Sequence, residues 1–213
     1  LIFKWYAFCF KKVLFLKQKS AMYPDKLRLV YQYPSMSYDD IERIIEQHEK
    51  VFFKKGDLLL HEGQISDCYY ILEEGIARAF VHDYEGNDIS TNFFCPGEVV
   101  IEVASIFHHI PTQENIVCIT DCVLWKIKLE QFQGLFETIP ALAEWGRAWM
   151  AYQLLITKKR AIDIISLSAI DRYKQLLADK PLIFQQAPLK HIATFLGITD
   201  TSLSRIRKEL VGK

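Results

Sequence analysis

The chain has 213 residues, 50% of them hydrophobic and 24% charged, with 26 basic side chains balancing 26 acidic ones. That length can bury a real core as one large or two small domains, and the composition excludes a disordered or fibrous chain. The zero net charge hides an asymmetry. Residues 1–37 carry seven Lys and Arg against one acid, residues 38–149 eight against twenty, and residues 150–213 eleven against five. A middle near −12 and a C-terminal part near +6 point to a polyanion as partner of the tail, although a lysine-rich solvated face gives the same count.

Residues 1–21, LIFKWYAFCFKKVLFLKQKSA, are apolar and aromatic but interrupted by Lys4, Lys11, Lys12, Lys17 and Lys19. The longest uncharged stretch, Trp5 to Phe10, is too short for a membrane span or a signal-peptide core. We read this stretch as a leader outside the native protein, with Met22 as the functional start; a surface-bound amphipathic segment is the alternative. Five cysteines (Cys9, Cys68, Cys95, Cys118, Cys122) are scattered without a CxxC, which leaves a zinc knuckle or a thioredoxin-type motif unsupported. A reducing cytoplasmic location is expected.

From Tyr38 to Glu49 the spacing of Ile41, Ile44 and Ile45 predicts a helix. Short β-branched and aromatic runs follow up to about Leu129, and Gly75, Gly86 and Gly97 punctuate them at intervals of eleven. This regularity predicts antiparallel strands in a barrel or sandwich, with a hairpin turn at YEGND (84–88) and a strand end at Pro96-Gly97. Residues 129–137 predict a short amphipathic helix, and Pro140 opens one long helix running to about Ile165. Leu142, Trp145, Trp149, Tyr152 and Ile156 form its apolar stripe, which either packs on the chain's own strands or makes a dimer seam; the aromatic content favours the seam. A helix over 166–181 and a short linker, LIFQQAP (182–188), come next.

The end of the chain carries the most specific pattern. Leu189, Ile192, Ala193 and Leu196 recur as one helical face, Gly197 supplies a tight turn, and Thr199 stands where it can cap a second helix. Leu203, Ile206 and Leu210 form the inner face of that second helix, with Asp200 in its first turn. A small residue is needed at Ala193 because the second helix crosses there; this is the spacing of a helix-turn-helix. Thr201, Ser204, Arg205 and Lys208 then point outward. Hydroxyls and an arginine suit base edges, while Arg207 and Lys208 suit phosphates. The candidate DNA-contacting set is Thr199, Asp200, Thr201, Ser202, Ser204, Arg205, Arg207 and Lys208.

An acidic β-roll, a long helix and a C-terminal helix-turn-helix, in that order, resemble the Crp/Fnr transcription regulators over about Asp25 to Leu210. FCPGEVV (94–100) resembles the Gly-Glu element of the family's cyclic-nucleotide cassette, and SAIDRY (168–173) the segment after its dimer helix. PLKHIATFLGITDTSLSRIRKEL is similar to the DNA-binding end of a Bacteroidetes-type branch. The resemblance implies an α+β chain in three parts: a jelly-roll-like sensor over 22–139, a dimerisation helix over 140–165 and a DNA-binding domain over 166–213. It implies a homodimer on a two-fold operator in double-stranded DNA, with RNA polymerase a further candidate partner, and neither catalysis nor a membrane. Arg205 matches the arginine that contacts guanine in many members and Thr199 a phosphate-contacting cap; Asp200 and Thr201 stand where many carry arginine and glutamate, which predicts a different operator.

The implied effector pocket comprises Gly97, Glu98, Thr112, Gln113, Thr157 and Lys158. Glu98 matches the ribose-binding glutamate, but Thr112 and Gln113 stand where the phosphate-binding Arg-Ser pair belongs, and no Lys or Arg lies between Glu98 and Asp121. A phosphate buried without a cation costs several kcal/mol, so little or no cAMP binding is expected. Thr157 and Lys158 match the helix positions that close over the pocket, where Lys158 could supply a charge. No cofactor is identified: Cys9 alone cannot imitate the N-terminal cluster of iron–sulfur members, there is no CxxCH, and His108-His109 reads as a solvated pair. Two rival readings are a cupin-like metalloenzyme and a β-roll interaction module without DNA binding. His61, His82, His108 and His191 lack the spacing the first requires.

Overall fold

The computed structural model describes residues 26–211; the leader and Cys9 lie outside them. Helices α1 (Lys26–Val30) and α2 (Tyr38–Ile45) come first among the described residues. Ser37 starts α2 through a reciprocal cap: its hydroxyl accepts from the Asp40 amide and the Asp40 carboxylate accepts from the Ser37 amide, both at 3.1 Å. The helix stops at Ile45 and the chain is already a strand at Glu49, shorter than the apolar spacing suggested.

Eight strands follow: β1 (Glu49–Phe53), β2 (Leu58–Leu60), β3 (Cys68–Glu74), β4 (Ala77–His82), β5 (Asp88–Phe94), β6 (Val99–Val100), β7 (Asn115–Cys118) and β8 (Cys122–Lys128), with the short helix α3 (Val103–His108) between β6 and β7. They form two antiparallel four-stranded sheets, ordered β1-β8-β3-β6 and β2-β7-β4-β5. The β4–β5 hairpin turns at 83–87, where Gly86 takes a left-handed φ, as the YEGND pattern predicts. Gly75 is obligatory for a second reason: a β-carbon there would sit 2.4 Å from the Asp121 carbonyl oxygen.

Strand β3 shows how the layers are built. Successive side chains alternate faces, and Tyr70 and Leu72 enter the core between the sheets with Phe94, Ile116 and Leu124. Tyr69 and Ile71 point the other way, into a helix-covered core with Leu27, Tyr31, Phe132, Leu142 and Trp145. Both faces of β3 are therefore apolar from Cys68 to Leu72, and all five residues are buried. A polar relay crosses this second core. His48 Nδ1–H donates to the Ile44 carbonyl at 2.9 Å, which leaves Nε2 to accept from the Tyr31 hydroxyl at 3.0 Å; Tyr69 O–H then donates to the Tyr31 oxygen at 2.8 Å. Burial holds His48 neutral, its pKa lowered to about 4.

Helix α4 (Leu129–Phe136) leads into α5 (Pro140–Ser166), 27 residues and about 40 Å long. The aromatic stripe on α5 turns inward at its start: Leu142 is fully buried, Trp145 is 7% exposed and Trp149 packs against the same core. The first turns of that stripe are thus covered within the chain, while Tyr152 is half-buried and Ile156, further along it, is 39% exposed. The exposed apolar side chains of α5 are Met150, Leu154 (70% exposed), Leu155, Ile156, Ile162, Ile164 and Ile165. At 100° per residue Met150, Leu154 and Ile165 fall opposite Trp145, Leu155, Ile162 and Ile164 fall on its flanks, and Ile156 falls on its own side.

Helices α6 (Ala169–Asp179), α7 (Pro181–Gln186), α8 (Leu189–Leu196) and α9 (Asp200–Val211) complete the chain. Ser168 caps α6, its hydroxyl accepting from the Asp171 amide at 3.2 Å, so the helix expected over 166–181 begins three residues late. The segment expected as a linker is largely the helix α7, whose Ile183 is fully buried. Among the described residues no helix is long and apolar enough to cross a membrane.

Candidate nucleic-acid interface and effector pocket

Helix α8 ends because Gly197 adopts φ 66° and ψ 37°, a left-handed conformation that costs a side-chain-bearing residue about 1–2 kcal/mol. The Ile198 amide bonds back to the Ala193 carbonyl at 3.0 Å, and the Thr199 hydroxyl accepts from the Ser202 amide at 3.2 Å. Turn and cap thus occupy the positions expected from sequence. Ala193 is fully buried and Leu203 is 1% exposed, with Ile192, Leu196 and Ile206 closing the joint. Leu189, expected on the inner face, lies at its rim and is partly solvated. With that face fixed, Thr199, Asp200, Thr201, Ser204, Arg205, Arg207 and Lys208 are exposed and Ser202 is half-buried. Five of these side chains lie on α9 with hydroxyl or cationic ends in solvent, a surface that can donate to phosphates and to acceptors on base edges.

The six expected pocket residues are not gathered in this way. Gly97 has a left-handed φ and donates its amide to the Leu72 carbonyl at 2.7 Å. The Glu98 carboxylate accepts from the Cys95 amide at 3.0 Å and from Lys180 Nζ at 2.7 Å. Lys180, at the junction of α6 and α7, also donates to the Phe93 carbonyl. Thr112 is buried as a loop pin: its oxygen accepts from the Glu114 amide at 2.9 Å and its backbone pairs with Gly63 and Gln64. Gln113, Thr157 and Lys158 are exposed. Two cavities among the described residues, of about 510 and 400 Å³, are lined by other residues. The larger is an aromatic cleft among Tyr69, Phe107, Phe132, Phe136, Trp145 and Trp149.

The inward cation on α5 is Arg160, two residues beyond Lys158. Its guanidinium donates to the Thr91 carbonyl and, at 3.1 Å, to the Phe195 carbonyl, and it stacks 3.8 Å from the centre of the Phe195 ring. The carboxyl group of Glu114 is nearby; burial raises its pKa, with the negative charge of Glu102 adding to the effect and Arg160 opposing it. Glu102 itself caps α3, accepting from the Ala104 and Ser105 amides at 3.1 and 2.5 Å. Sequence spacing gives no signal for Arg160, since it reads as one of three consecutive cations breaking an apolar stripe.

These contacts belong to a larger one. The helical domain packs directly on the β-roll, with Ile76, Phe93, Cys95 and Ile119 sharing one core with Tyr173, Leu176, Ile183 and Ile192. Arg78, 3% exposed, holds Asp88 with two bonds of 2.5 and 2.7 Å and donates to His191 Nδ1 at 2.8 Å. Because a guanidinium only donates, His191 must carry its proton on Nε2. Burial and the adjacent Arg78 charge lower its pKa. The Thr194 hydroxyl accepts from the Ser90 amide and donates to the Ser90 hydroxyl, both at 3.1 Å. Among the described residues no group of three or more His, Cys, Asp or Glu is placed to hold a metal ion, and His109 caps α3 in a left-handed conformation.

Residues 50–139 match the cyclic nucleotide-binding domain family. A curated relative, the cAMP-dependent protein kinase regulatory subunit of Eremothecium gossypii, is 27% identical over 105 residues, 49% of this chain but only 22% of that protein's length. Among solved structures, FixK2 from Bradyrhizobium japonicum superposes with a TM-score of 0.66 at 16% identity, over 78% of this chain and 85% of that one. The c-di-GMP-responsive global regulator CLP of Xanthomonas campestris gives 0.64 at 19% identity, over 83% and 92%. A Crp/Fnr-family transcriptional regulator from Eubacterium rectale gives 0.64 at 18%, over 84% and 88%. Residues 50–139 thus resemble a cyclic nucleotide-binding domain, and the chain shares its fold with these solved structures.

Proposed function

We propose that the protein is a DNA-binding transcription regulator of the Crp/Fnr type that works as a homodimer on a two-fold operator. The observation that carries this reading is α9: its inner residues are locked in a core while Thr201, Ser204, Arg205, Arg207 and Lys208 face solvent. A helix so presented enters a major groove, with Arg205 donating to a guanine edge and Thr199, Arg207 and Lys208 holding phosphates. Asp200 and Ser202 complete the contact surface and shift the preferred sequence. The dimer seam in this reading runs along the exposed apolar part of α5, through Leu154, Leu155, Ile156, Ile162 and Ile165. RNA polymerase is the further partner a regulator of this type would meet.

The β-roll takes a small-molecule effector other than cAMP held in the usual way. Two facts support this: residues 98–121 contain no Lys or Arg, and the Glu98 carboxylate is already engaged by Lys180. Genome-wide footprinting of the purified protein tests the proposal, with enrichment of one two-fold motif as the expected result. Binding that shows no steep loss with added salt, or none at low salt, would refute it. Titration calorimetry with cAMP is expected to give no heat at micromolar concentrations.

A further inference from the structure

The aromatic cleft between strand β6, helix α4 and the start of α5 takes no part in the DNA-reading surface or in the expected effector pocket. Its volume is about 510 Å³, within the range of roughly 300–1,000 Å³ that takes a small organic ligand. Rings of Phe107, Phe132, Phe136, Trp145 and Trp149 form its walls. Polar ends in these walls are turned to other partners: the Tyr69 hydroxyl bonds to Tyr31 at 2.8 Å, and the Trp145 indole N–H donates to the Val30 carbonyl at 2.7 Å. What remains is a surface of ring faces and edges, open to solvent past Phe107 and Met150, which are 45% and 41% exposed.

Two features of α5 shape this cleft for a ligand. Gly146 lines it from inside the helix, where glycine weakens the backbone relative to alanine. Its φ is not positive, and a β-carbon there would meet nothing nearer than the Phe136 ring at 3.9 Å, so neither conformation nor crowding requires glycine. The missing side chain keeps the cleft open. Arg147, the next residue, is exposed at the rim. Among the described residues it has no side-chain bond, and the carboxylate of Glu144, one turn before it, accepts instead from Ser35 at 2.8 Å. We propose that the cleft binds a planar aromatic carboxylic acid, its ring among Phe132, Phe136, Trp145 and Trp149 and its carboxylate on the Arg147 guanidinium. Aromatic walls favour a ring, held offset or edge-on at about 4.5–7 Å, over an alkyl chain. One cation balances a carboxylate rather than a doubly charged phosphate. At 100° per residue Ala143, Gly146 and Met150 lie on a different flank of α5 from Leu155 and Ile162 of the seam, and the site stands apart from the DNA-binding reading.

The test uses the full chain with naphthoate as the probe, calorimetry to report affinity and tryptophan fluorescence to place the ligand beside Trp145 and Trp149. Saturable binding with quenching is expected. Gly146→Leu, which fills the cleft, should abolish binding while the thermal midpoint is kept. Arg147→Gln should weaken naphthoate about five- to tenfold, the low end for a hydrogen bond to a charged group because the rim is solvated, and should leave the binding of neutral naphthamide unchanged. Octanoate, which has the charge without the ring, should bind severalfold more weakly than naphthoate. No saturable binding to the full chain, whether because residues 1–21 or a second copy fills the cleft, would overturn the proposal. So would naphthoate binding undiminished in Gly146→Leu, or octanoate binding as tightly as naphthoate. Should Gly146→Leu not fold, Arg147→Gln decides: an equal effect on naphthoate and naphthamide, or none on either, would also overturn it.

Discussion

The β-roll interface and helix α9 use the same kinds of side chain in opposite settings. Arg78, Arg160 and Lys180 are wholly or largely withdrawn from water and bonded to carboxylates or carbonyls, whereas Arg205, Arg207 and Lys208 stand in solvent. A buried cation is bound to one partner and serves the architecture, because leaving it unpaired costs several kcal/mol. An exposed cation costs nothing to leave open and remains available to a ligand. Charge alone did not separate the two groups; burial did.

That contrast can be broken most sharply at Arg78. Replacing it with Met leaves Asp88 and His191 without their donor and should destabilise the fold by ~3 kcal/mol, whereas Arg205→Ala should change stability by less than ~0.5 kcal/mol. Chemical denaturation of the two variants checks both, and equal effects would erase the distinction.

A comparable effect is expected from acid. His48 is held neutral by burial, its pKa lowered to about 4, while in the unfolded chain it titrates near 6.5. The unfolded state therefore binds the extra proton as pH falls through this window. The stabilisation is complete above about pH 6.5 and is progressively lost towards pH 4, by up to ~3 kcal/mol. His191, lowered by burial and by Arg78, acts with the same sign. His48→Gln should flatten the pH dependence of the unfolding midpoint, and a profile unchanged by that substitution would refute the assignment. Smaller again is Gly197→Ala, expected to cost about 1–2 kcal/mol through the left-handed conformation alone. Its strain should appear as lowered stability of α8 and α9 to hydrogen exchange, with the β-roll unaffected if the two domains open separately.

The sequence carried the elements and the helix-turn-helix well because both rest on short-range rules. A small residue, a glycine and a capping threonine at fixed spacing determine the turn at 193–199, and the structure places each of them there. The stripe of Leu142, Trp145 and Trp149 was equally legible as a buried face, but periodicity cannot say whether the chain or a second copy covers it. Helix α5 is apolar on several sides, and the start of the aromatic side packs within the chain against helices and strand β3. Glu98 shows the same limit in another form: a local motif says nothing of Lys180, 82 residues away, which donates to its carboxylate. Arg160 gave no sign at all, since its role is set by the approach of α8 to β5.

The central claim is that α9 reads DNA and that Arg205 is its principal reader. The most direct measurement selects binding sites from a randomised duplex library with the wild-type protein and with Arg205→Ala. We expect the variant to lose discrimination at one base pair in each half of a two-fold site, by about 1–3 kcal/mol, with the other positions retained. A uniform loss of affinity across all sequences, or selection of no two-fold motif by the wild-type protein, would contradict it.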